Sequence, residues 1–594
     1  MGKQAITIKS LDWGTLNENI IMYGRTIPEG KSIAVKINGC TFPFYVLASQ
    51  WPAQQLREIS GHLRSKRVKF GFVKRKVFNC RLEDTGDGID DKKFKMLRLD
   101  CKNIIDFYSW RKKFQHGFSE FGLQVKPCTL FNAHIKPLLS FFHINNMSST
   151  GAYEVYRYQD TQKFSTSEID IEVDISNLNK SETLENAKIV IASYDIESEG
   201  TTFEDKAVFQ IGITFKTLMD DTTQQPVLLS WKECAPIEGT IVKSYKTEKD
   251  LILGYIDTML EYDPDIITGF NTFGFDNEFL YGRAAMYHIE DEFKRLSRTK
   301  TFERKILNDK MSGKGEGFLK TFYFNWQGRI QMDLLPIFRK NFKLDKYSLS
   351  HISQTYLQDD KVNLDYQDMF DLWDEGRGSP EDLAIIGEYC VKDTVLPINL
   401  IEKLSLLTNA IEYSNIVYFP LGMLFQYGET SKSFSIICHE AERQKFCIAE
   451  NKSRGNPFQG ATVLDPVKGM YLNDHTAVQD FKSLYPSIMI AENLCPSTYS
   501  TNEELIKKYP EKFITNNING REISFYQGRT GVVPIILKRL LSERQRVKAQ
   551  MKEQVKGTFA YQILDAKQLA LKISCNSICK YTLFCNFLSI FSKY

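Results

Sequence analysis

The stretch KIVIASYDIE, from Lys188 to Glu197, decides the fold of the central part of the chain. It is a short apolar run rich in β-branched residues, so it predicts a β-strand. The run AVFQIGITF, from Ala207 to Phe215, follows after a turn and predicts an antiparallel neighbour. Asp195 and Glu197 are two positions apart, so their side chains share one face of the first strand. Two acids near the middle of a sheet need compensation, which bound divalent cations would supply.

Two further acids stand in patterns that place them beside this sheet. Asp276 ends the sequence FNTFGFD, which follows the strand-like run from Asp265 to Phe270. Asp393 ends EYCVKD, within an apolar-periodic helix predicted from Asp382 to Leu400. Tyr389 lies four residues before Asp393 and therefore on the same helical face.

Three or four converging carboxylates give this pattern a specific chemistry. They can hold two Mg²⁺ or Mn²⁺ ions about 3.5 to 4 Å apart, which activate a water and stabilise the leaving oxygen of a phosphodiester. Tyr389 is then placed to orient that water. For any single acid, surface charge or a helix cap remains an alternative, because each short pattern recurs in unrelated proteins.

The composition of the 594 residues is that of a large soluble protein, and the length predicts about four domains. Hydrophobic residues make up 42% and charged residues 25%, so disorder, collagen and coiled coils lose their compositional support. No apolar run approaches the roughly 20 residues of a membrane span, and no signal peptide is recognisable. Twelve cysteines without a CxxC pair fit reduced thiols. We predict an intracellular protein without a membrane partner.

The stretch from Arg64 to Lys76 is basic and contains no acid. Its cations could lie along a phosphate backbone, or they could form the solvated edge of a sheet, and the sequence favours neither alternative. The cations are Arg64, Lys66, Arg67, Lys69, Lys74, Arg75 and Lys76.

The segment VQDFKSLYPSIMIAENLCPST, from Val478 to Thr498, predicts a strand that turns into a helix. The strand runs from Ala477 to Phe481 and delivers Asp480 at its end. The helix begins near Pro486, since proline suits a first helical turn. Successive backbone amides in the turn between them can cradle phosphates.

The residues from Pro534 to Lys556 and from Phe559 to Tyr581 predict two antiparallel helices joined across Gly557-Thr558. The first helix carries seven cations against two acids, which a solvated charged face would also explain. The second helix is otherwise apolar, and its polar stripe steps by four residues through Gln568, Lys572 and Asn576.

These motifs, in this order, resemble DNA polymerase family B, most closely its delta branch and the related enzymes of large DNA viruses. Asp195 with Glu197, Asn271 with Asp276, and Tyr389 with Asp393 look like the three motifs of a ribonuclease H-like proofreading exonuclease. Further stretches that resemble the family are GRIQMDLL (Gly328 to Leu335), KLDKYSLSHIS (Lys343 to Ser353), PFQGATVLDP (Pro457 to Pro466), the segment around Asp480, and the KxxxNS motif at Lys572.

The resemblance implies two sites, each with two Mg²⁺ or Mn²⁺ ions. The implied metal ligands are Asp195, Glu197, Asp276, Asp393 and Asp480, and these acids with Tyr389 are the implied catalytic residues. Tyr485 would pack beneath the sugar and exclude a 2′-hydroxyl, so the implied nucleotide is a dNTP. Cations of the two helices would contact its triphosphate. The implied nucleotide-binding residues are Phe481, Ser483, Leu484, Tyr485, Arg544, Lys548, Lys572 and Asn576.

The predicted fold class is α/β, as a multidomain α+β arrangement. Its domains are an amino-terminal β-rich domain (1–185), a ribonuclease H-like 3′–5′ exonuclease domain (186–400), a helical connection (401–450), a partial palm (451–530), two-helix fingers (531–580) and an aberrant tail (581–594).

The resemblance ends near residue 578. The family has Tyr-Gly where this sequence has Cys579-Lys580, and neither the Asp-Thr-Asp motif of the palm nor a thumb follows. Because Asp480 alone cannot hold two catalytic metals, we predict that polymerisation by this chain in isolation is very weak or nil. A frameshifted gene product, a split polymerase completed by a second polypeptide, and a sequence cut from a longer one all remain open. The abrupt apolar tail favours the first.

The leading hypothesis is a replicative DNA-directed DNA polymerase with 3′–5′ proofreading, acting on primer-template DNA with dNTPs. A stand-alone 3′–5′ exonuclease and a non-catalytic primer-template binding fragment are the alternatives. Partners left open are the second polypeptide and a sliding clamp. The predicted location is the nucleus or a cytoplasmic viral replication site, and the sequence does not choose between them.

Overall fold

The computed structural model describes most of the chain, and the structural statements below concern the described residues. These residues are 5–16, 18–79, 81–183, 187–218, 224–299, 304–310, 318–359, 364, 366–450, 464–465, 467–470, 472, 475, 477, 479–481, 483–518, 521–556 and 558–581.

The strands are, in chain order, β1 Ile6–Leu16, β2 Asn19–Ile27, β3 Ser32–Asn38, β4 Phe42–Leu47, β5 Lys69–Val77, β6 Leu82–Asp84, β7 Ile89–Asp91, β8 Phe94–Cys101, β9 Phe118–Glu120, β10 Leu123–Val125, β11 Leu130–Phe131, β12 Ala152–Val155, β13 Gln159–Asp160, β14 Ile169–Asp174, β15 Leu178–Lys180, β16 Ile189–Ser198, β17 Val208–Leu218, β18 Val227–Trp231, β19 Ile241–Tyr245, β20 Ile266–Gly269, β21 Arg304–Lys310, β22 Phe318–Phe324, β23 Ile330–Asp333, β24 Phe446–Cys447, β25 Tyr499–Ser500, β26 Phe513–Ile518 and β27 Arg521–Tyr526.

The α-helices are α1 Ala53–Ser65, α2 Ile104–His116, α3 Pro137–Asn145, α4 Glu248–Tyr262, α5 Asp276–Met286, α6 Leu334–Asn341, α7 Leu349–Leu357, α8 Tyr366–Trp373, α9 Pro380–Lys403, α10 Leu406–Ile416, α11 Leu421–Gln426, α12 Glu429–Arg443, α13 Leu484–Ala491, α14 Glu503–Lys508, α15 Val532–Lys552 and α16 Phe559–Tyr581. Short 3-10 helices are Ala48–Gln50, Ile175–Asn177, Glu290–Leu296, Asp374–Gly376 and Pro510–Lys512. None of the helices described combines the length and apolar character that crossing a membrane requires.

The chain divides into two compact units whose limits differ from the predicted domain boundaries. The first unit is Met1–Cys40, Ser149–Ser414 and Pro420–Gln426, and the second is Thr41–Ser148, Asn415–Phe419 and Tyr427–Tyr594. The first 40 residues therefore pack with the central region, and the functional division at 185/186 stays a prediction. Of the predicted tail, residues 582–594 lie outside the described residues.

The first unit contains a seven-stranded sheet in the order β13-β14-β3-β2-β1-β12-β15. It is antiparallel except that β14 pairs in parallel with β3. A buried group of charged side chains links this seven-stranded sheet to the segment that precedes β20. Arg25 of β2 donates to the Asp265 carboxylate at 2.8 Å, and Arg298 donates to both Asp263 and Asp265 at 2.9 Å. These two aspartates are therefore paired with arginines.

A six-stranded sheet in the order β19-β18-β17-β16-β20-β23 forms the centre of the first unit. The predicted antiparallel pair is confirmed as β16 and β17, while β20 lies parallel to β16 on its other side. Successive residues of β16 point to opposite faces of the sheet. Ala192, Tyr194 and Ile196 pack in a cluster that includes residues of α4 and α5. The opposite face, with Asp195 and Glu197, is the one on which α9 lies, because Cys390 of α9 meets Asp195 and Gly212 there.

Helix α9 begins and docks through specific polar contacts. Ser379 and Asp382 form a reciprocal capping box, with Pro380 as the first helical residue. The amide of Gln210 donates to the Leu383 carbonyl at 2.7 Å, and the hydroxyls of Thr214 and Thr394 are 2.6 Å apart. These contacts fix both the rotation and the height of α9 on β17.

The second unit contains a five-stranded sheet in the order β11-β4-β8-β5-β24. Aromatic side chains of α2 pack on Phe44 of β4, with Phe107 and Phe114 edge-on to its ring. Strand β5 pairs with β8 from Lys69 to Arg75, but β24 pairs with it only at Lys76 and Val77. The first part of β5 is therefore an edge in the described part of the sheet.

Candidate active site

The acidic pair on β16 forms the centre of the site. Asp195 and Glu197 lie opposite Gly212 and Gln210 of β17. Potential ligand atoms of Asp195, Glu197 and Cys390 all lie within 4.8 Å of one another. Glu197 is buried, whereas Asp195 is half-exposed. The i, i+2 spacing thus brings both carboxylates to one face, as the strand period predicts.

Asp276 is the first residue of α5 and is only 3% exposed. Its Oδ1 accepts a hydrogen bond from the backbone N–H of Ile196 at 3.2 Å, so it is tied to the residue between Asp195 and Glu197. Burial, together with the negative charges of Asp333 and Asp393, raises the pKa of Asp276 to about 7 against the opposing backbone hydrogen bonds. A bound cation would relieve this accumulation of charge.

Asp393 is buried on α9 and completes the set of four acids. The negative charge of Asp393 contributes to raising the pKa of Asp276 and that of Cys390, which lies one turn earlier on the helix. Burial, followed by the charges of Glu197, Asp195 and Asp393, holds the pKa of the Cys390 thiol well above its ordinary value. Tyr389 is half-buried on the same helix, four residues before Asp393. The structure therefore places Asp276 beside the strand segment of Asp195 and Glu197, and Asp393 and Tyr389 on the helix that packs on that strand face, while their joint role stays a prediction.

Asp333 is a residue of the site region that the sequence patterns did not single out. It ends β23, and its carboxylate accepts hydrogen bonds from the backbone N–H groups of Asn271, Phe273 and Leu335 at 2.8 to 2.9 Å. Burial raises its pKa to about 6, although these bonds favour the charged form. Two of the three donors belong to the loop that leads to Asp276. The only sequence signal was the family-like stretch that contains Asp333.

Hard divalent cations fit this donor set. Carboxylate oxygens are the ligands that Mg²⁺ and Mn²⁺ prefer, and four acids reach this region from β16, α5 and α9. The Cys390 thiol is a soft donor, and its raised pKa keeps it protonated and neutral. The four carboxylates therefore stay the predicted ligands, although the closest described group is Asp195, Glu197 and Cys390.

The predicted nucleotide site is less enclosed. The predicted strand from Ala477 to Phe481 is wrong over its described residues, which lie outside any strand and are exposed, because no described strand pairs with them. Val478, like Lys482 in the predicted turn, lies outside the described residues. Ser483 has a left-handed backbone with φ of 54°, and α13 begins at Leu484, close to the predicted start. The side chains of Phe481, Leu484 and Tyr485 are largely exposed, that of Tyr485 by 54%.

The two helices predicted at 534–556 and 559–581 are confirmed as α15 and α16, and α13 packs against both, while their assignment as fingers stays a prediction. Arg544 of α15 donates to the side-chain oxygen of Gln568 on α16 at 3.3 Å. The chain therefore folds back on itself here, and Arg544 contacts Gln568, the first residue of the predicted polar stripe. The remaining predicted contacts are exposed to solvent, namely Lys548, Lys572 and Asn576.

The fold and the site define an α/β domain with an acidic cluster on its central sheet, followed by a helical hairpin. Comparison with models of protein families identifies the family to which this arrangement belongs. Residues 128–352 match the exonuclease domain of DNA polymerase family B, and residues 419–586 match DNA polymerase family B itself. The chain belongs to DNA polymerase family B.

Individual relatives agree with this assignment. The DNA polymerase delta catalytic subunit of Dictyostelium discoideum is 32% identical over 80% of this chain and 43% of its own length. That of Candida albicans is 28% identical over 93% of this chain and 53% of its own length. The chain spans about half the length of the curated relatives it matches. The predicted delta-like resemblance is confirmed, whereas the viral branch stays a prediction.

A solved structure shares the fold. The family B DNA polymerase of the archaeon Pyrobaculum calidifontis superposes with a TM-score of 0.71 at 18% identity, over 98% of this chain and 70% of that one. At this identity the likeness concerns the fold, and it confirms the predicted multidomain α/β class.

Proposed function

We propose that the chain provides the 3′–5′ proofreading exonuclease and part of the nucleotide site of a replicative DNA-directed DNA polymerase. The observation that carries the proposal is the close acidic pair Asp195 and Glu197 on β16, with Asp276 hydrogen-bonded to Ile196 between them and Asp393 on the helix that packs on this face. The relatives named as DNA polymerase delta catalytic subunits support this proposed function. A 3′ end of single-stranded DNA is the proposed nuclease substrate.

The four carboxylates would hold the divalent ions, which when bound supply an activated water and stabilise the leaving oxygen of the phosphodiester. The protein's own contribution is positioning. The Ile196 N–H fixes the orientation of the Asp276 carboxylate, and Asp333 fixes the loop before it. Tyr389 stands one turn before Asp393, where its hydroxyl would orient the attacking water.

The nucleotide half-site is proposed on α13, α15 and α16. Tyr485 would select a 2′-deoxyribose, and the exposed cations Lys548 and Lys572, with Arg544, would contact the triphosphate. Asn576 follows Lys572 by one helical turn. Asp480 is the proposed metal ligand, but two-ion chemistry requires more than one carboxylate. We therefore propose that elongation needs a palm acid from outside this sequence, with primer-template DNA and dNTPs as substrates.

The proposal is tested with the purified chain, Mg²⁺ and single-stranded DNA labelled at its 3′ end, with and without dNTPs. Metal-dependent release of label is expected, and it should be lost in Asp195→Ala/Glu197→Ala. Asp480→Ala serves as the matched acid control and should release label at the parental rate. Intact substrate with the parental chain at every metal concentration would refute the nuclease.

A stand-alone exonuclease is the second candidate, because the nuclease acids lie on and beside β16 while Asp480 is exposed and outside every described strand. Adding a polypeptide that carries the missing palm and thumb distinguishes the candidates. Extension of a primer by the mixture supports the polymerase, and no extension supports the nuclease alone. The polymerase proposal includes a sliding clamp as a partner. It also includes the nucleus or a cytoplasmic viral replication site as the location.

A further inference from the structure

Asn277, the second residue of α5, has a polar side chain that is buried among apolar ones. It is only 3% exposed. The Tyr194 hydroxyl donates a hydrogen bond to its Oδ1 at 2.7 Å, and its Nδ2 donates to the Phe322 carbonyl at 3.1 Å. Both partners belong to a core that includes residues of β16, α4 and α5. Burying an amide costs free energy, which an apolar side chain of similar size would avoid.

The first turn of α5 is attached to β16 at two points, one on each side of Asp195. Asp276 accepts a hydrogen bond from the Ile196 N–H at 3.2 Å, and Asn277 accepts one from the Tyr194 hydroxyl. A single attachment would leave the end of the helix free to pivot, whereas two attachments fix its rotation relative to the strand. The Asp276 carboxylate is thereby oriented toward the acidic pair of β16.

The same amide also holds β22. The Phe322 carbonyl accepts from Asn277 Nδ2, and the Phe322 N–H donates to the carbonyl of Phe273 at 2.7 Å. Both α5 and the loop before it therefore contact one residue of β22. A planar amide accepts at one end and donates at the other, so its orientation links β16 to β22 through the residue next to Asp276.

We propose that Asn277 is a positioning residue of the nuclease site, which acts through Asp276 on the binding of divalent ions. This role rests on the proposed nuclease function. Without the Tyr194 contact, α5 can rotate about the Ile196 contact, and the Asp276 carboxylate then moves relative to the other acids. Groups that orient metal ligands typically account for about 10–100-fold in metal affinity. A residue that served stability alone would leave metal affinity unchanged.

Mn²⁺ binding followed by electron paramagnetic resonance, without DNA, tests this role. All chains carry Asp480→Ala, so that the proposed nucleotide site does not contribute to the signal. Asn277→Ala is expected to bind Mn²⁺ about tenfold more weakly than its parent, because both hydrogen bonds are lost. Tyr194→Phe removes one hydroxyl and keeps the ring, and it should weaken binding about threefold. The Mg²⁺ concentration for half-maximal label release should rise in the same order.

The two substitutions should not act independently, because they break the same hydrogen bond. Tyr194→Phe added to Asn277→Ala is expected to weaken Mn²⁺ binding by no more than about 1.5-fold, since residues in contact are coupled. Independent effects would instead multiply to about thirtyfold in the double variant. That result would assign the losses to a general disturbance of the core and would overturn the role.

Two controls separate positioning from loss of stability. Phe279→Leu shortens a buried side chain of α5 that cannot form hydrogen bonds. It should lower the melting temperature yet bind Mn²⁺ within about twofold of the parent, because packing is lost while both attachments to β16 remain. Asn341→Ala, at an exposed asparagine that ends α6, should match the parent in both measurements.

The outcomes distinguish this role from the proposed nuclease function. A parent that binds no Mn²⁺ and releases no label would refute both. Parental Mn²⁺ affinity in Asn277→Ala, or an equal loss of affinity in Phe279→Leu, would overturn the positioning role and leave the nuclease function standing. If circular dichroism shows that Asn277→Ala does not fold, Tyr194→Phe decides the question, and parental Mn²⁺ affinity in that variant would overturn the role.

Discussion

Asp333 shows how one side chain can determine the position of another that carries the chemistry. Its carboxylate satisfies three buried backbone donors, two of them in the loop before Asp276. Without it, those N–H groups would be buried without acceptors. The loop would then have to open toward water, and Asp276 would move with it.

We predict that Asp333→Ala lowers the free energy of unfolding by at least about 2 kcal/mol, since a buried donor without a partner costs about 1–3 kcal/mol. Release of 3′ label should slow at least about tenfold, because misplacement of a metal ligand by a fraction of an ångström is costly. Urea unfolding and the label-release assay measure the two effects. Asp345→Ala, at an exposed acid of the same region, is the control, and parental behaviour in both variants would contradict this role.

The spacing of Asp195 and Glu197 was enough to predict that both share a strand face, because the period of a strand is local. Asp333 and Cys390 could not be predicted in this way. The surroundings of Asp333 combine β20, β23 and the loop between β20 and α5, and those of Cys390 combine β16, β17 and α9. A single acid or thiol carries no spacing signal of such long-range contacts.

At the level of elements, the close approach of α9 to β17 sets the distance between the carboxylates of the helix and those of the strand. Gly212 permits this approach, since a Cβ there would lie 2.9 Å from the Cys390 sulfur and 3.1 Å from its carbonyl oxygen. The first contact is shorter than real Cβ atoms show and the second is tighter than most of them, and the carbonyl belongs to the helix backbone. A methyl group at position 212 would therefore push α9 outward.

We predict that Gly212→Ala raises the Mg²⁺ concentration needed for half-maximal label release by at least about threefold and lowers the free energy of unfolding by about 1–3 kcal/mol, as overpacking does. Gly61→Ala on α1 is the matched control, because nothing lies within 4 Å of its added Cβ. That variant should be as stable as the parent or more stable by about 0.4–1 kcal/mol. Equal metal dependence in both variants would argue against the spacing role.

The packing of α3 on α12 makes the second unit sensitive to acid. His143 is buried with its Nε2 2.9 Å from the Ser435 hydroxyl, and His439 lies 6.2 Å away between their ring centres. Burial, and then the charge of His439, lowers the pKa of His143 from 6.5 to about 3. A lowered histidine pKa means that the neutral form is favoured by folding, so stability is complete above about pH 6.5 and falls as the pH approaches 3.

We predict that the urea midpoint of the parent falls between pH 7.5 and pH 5.0, and that His143→Gln reduces this fall. Part of the loss persists because other groups also titrate in this range. His116→Gln, at an exposed histidine at the end of α2, should keep the parental pH dependence. An unchanged slope in His143→Gln would assign the acid sensitivity to other residues.

The helices and strands that carry the site follow from local patterns, and their predicted positions agree with β16, β17, β20, α9, α15 and α16 to within a few residues. The predicted strand at Ala477 to Phe481 was wrong in its described residues. An isolated apolar run predicts a strand only if a neighbour pairs with it, and the described chain offers none there.

At the level of the whole molecule, the grouping of segments was the hardest feature to predict. A rise in polarity before residue 186 suggested a boundary, yet β14 and β15 in that stretch belong to the seven-stranded sheet that β1 to β3 also form. The parallel pairing of β14 with β3 joins residues more than 130 positions apart, and no local pattern encodes it. Membership of DNA polymerase family B, in contrast, was evident from the order of the motifs.

The central claim is that Asp195, Glu197, Asp276 and Asp393 act together on divalent ions, and Mn²⁺ binding followed by electron paramagnetic resonance tests it most directly. The account predicts that alanine at any one of the four weakens Mn²⁺ binding at least about tenfold, while Asp257→Ala, at an exposed acid of α4, binds as the parent does. Undiminished Mn²⁺ binding in all four single variants would contradict the account.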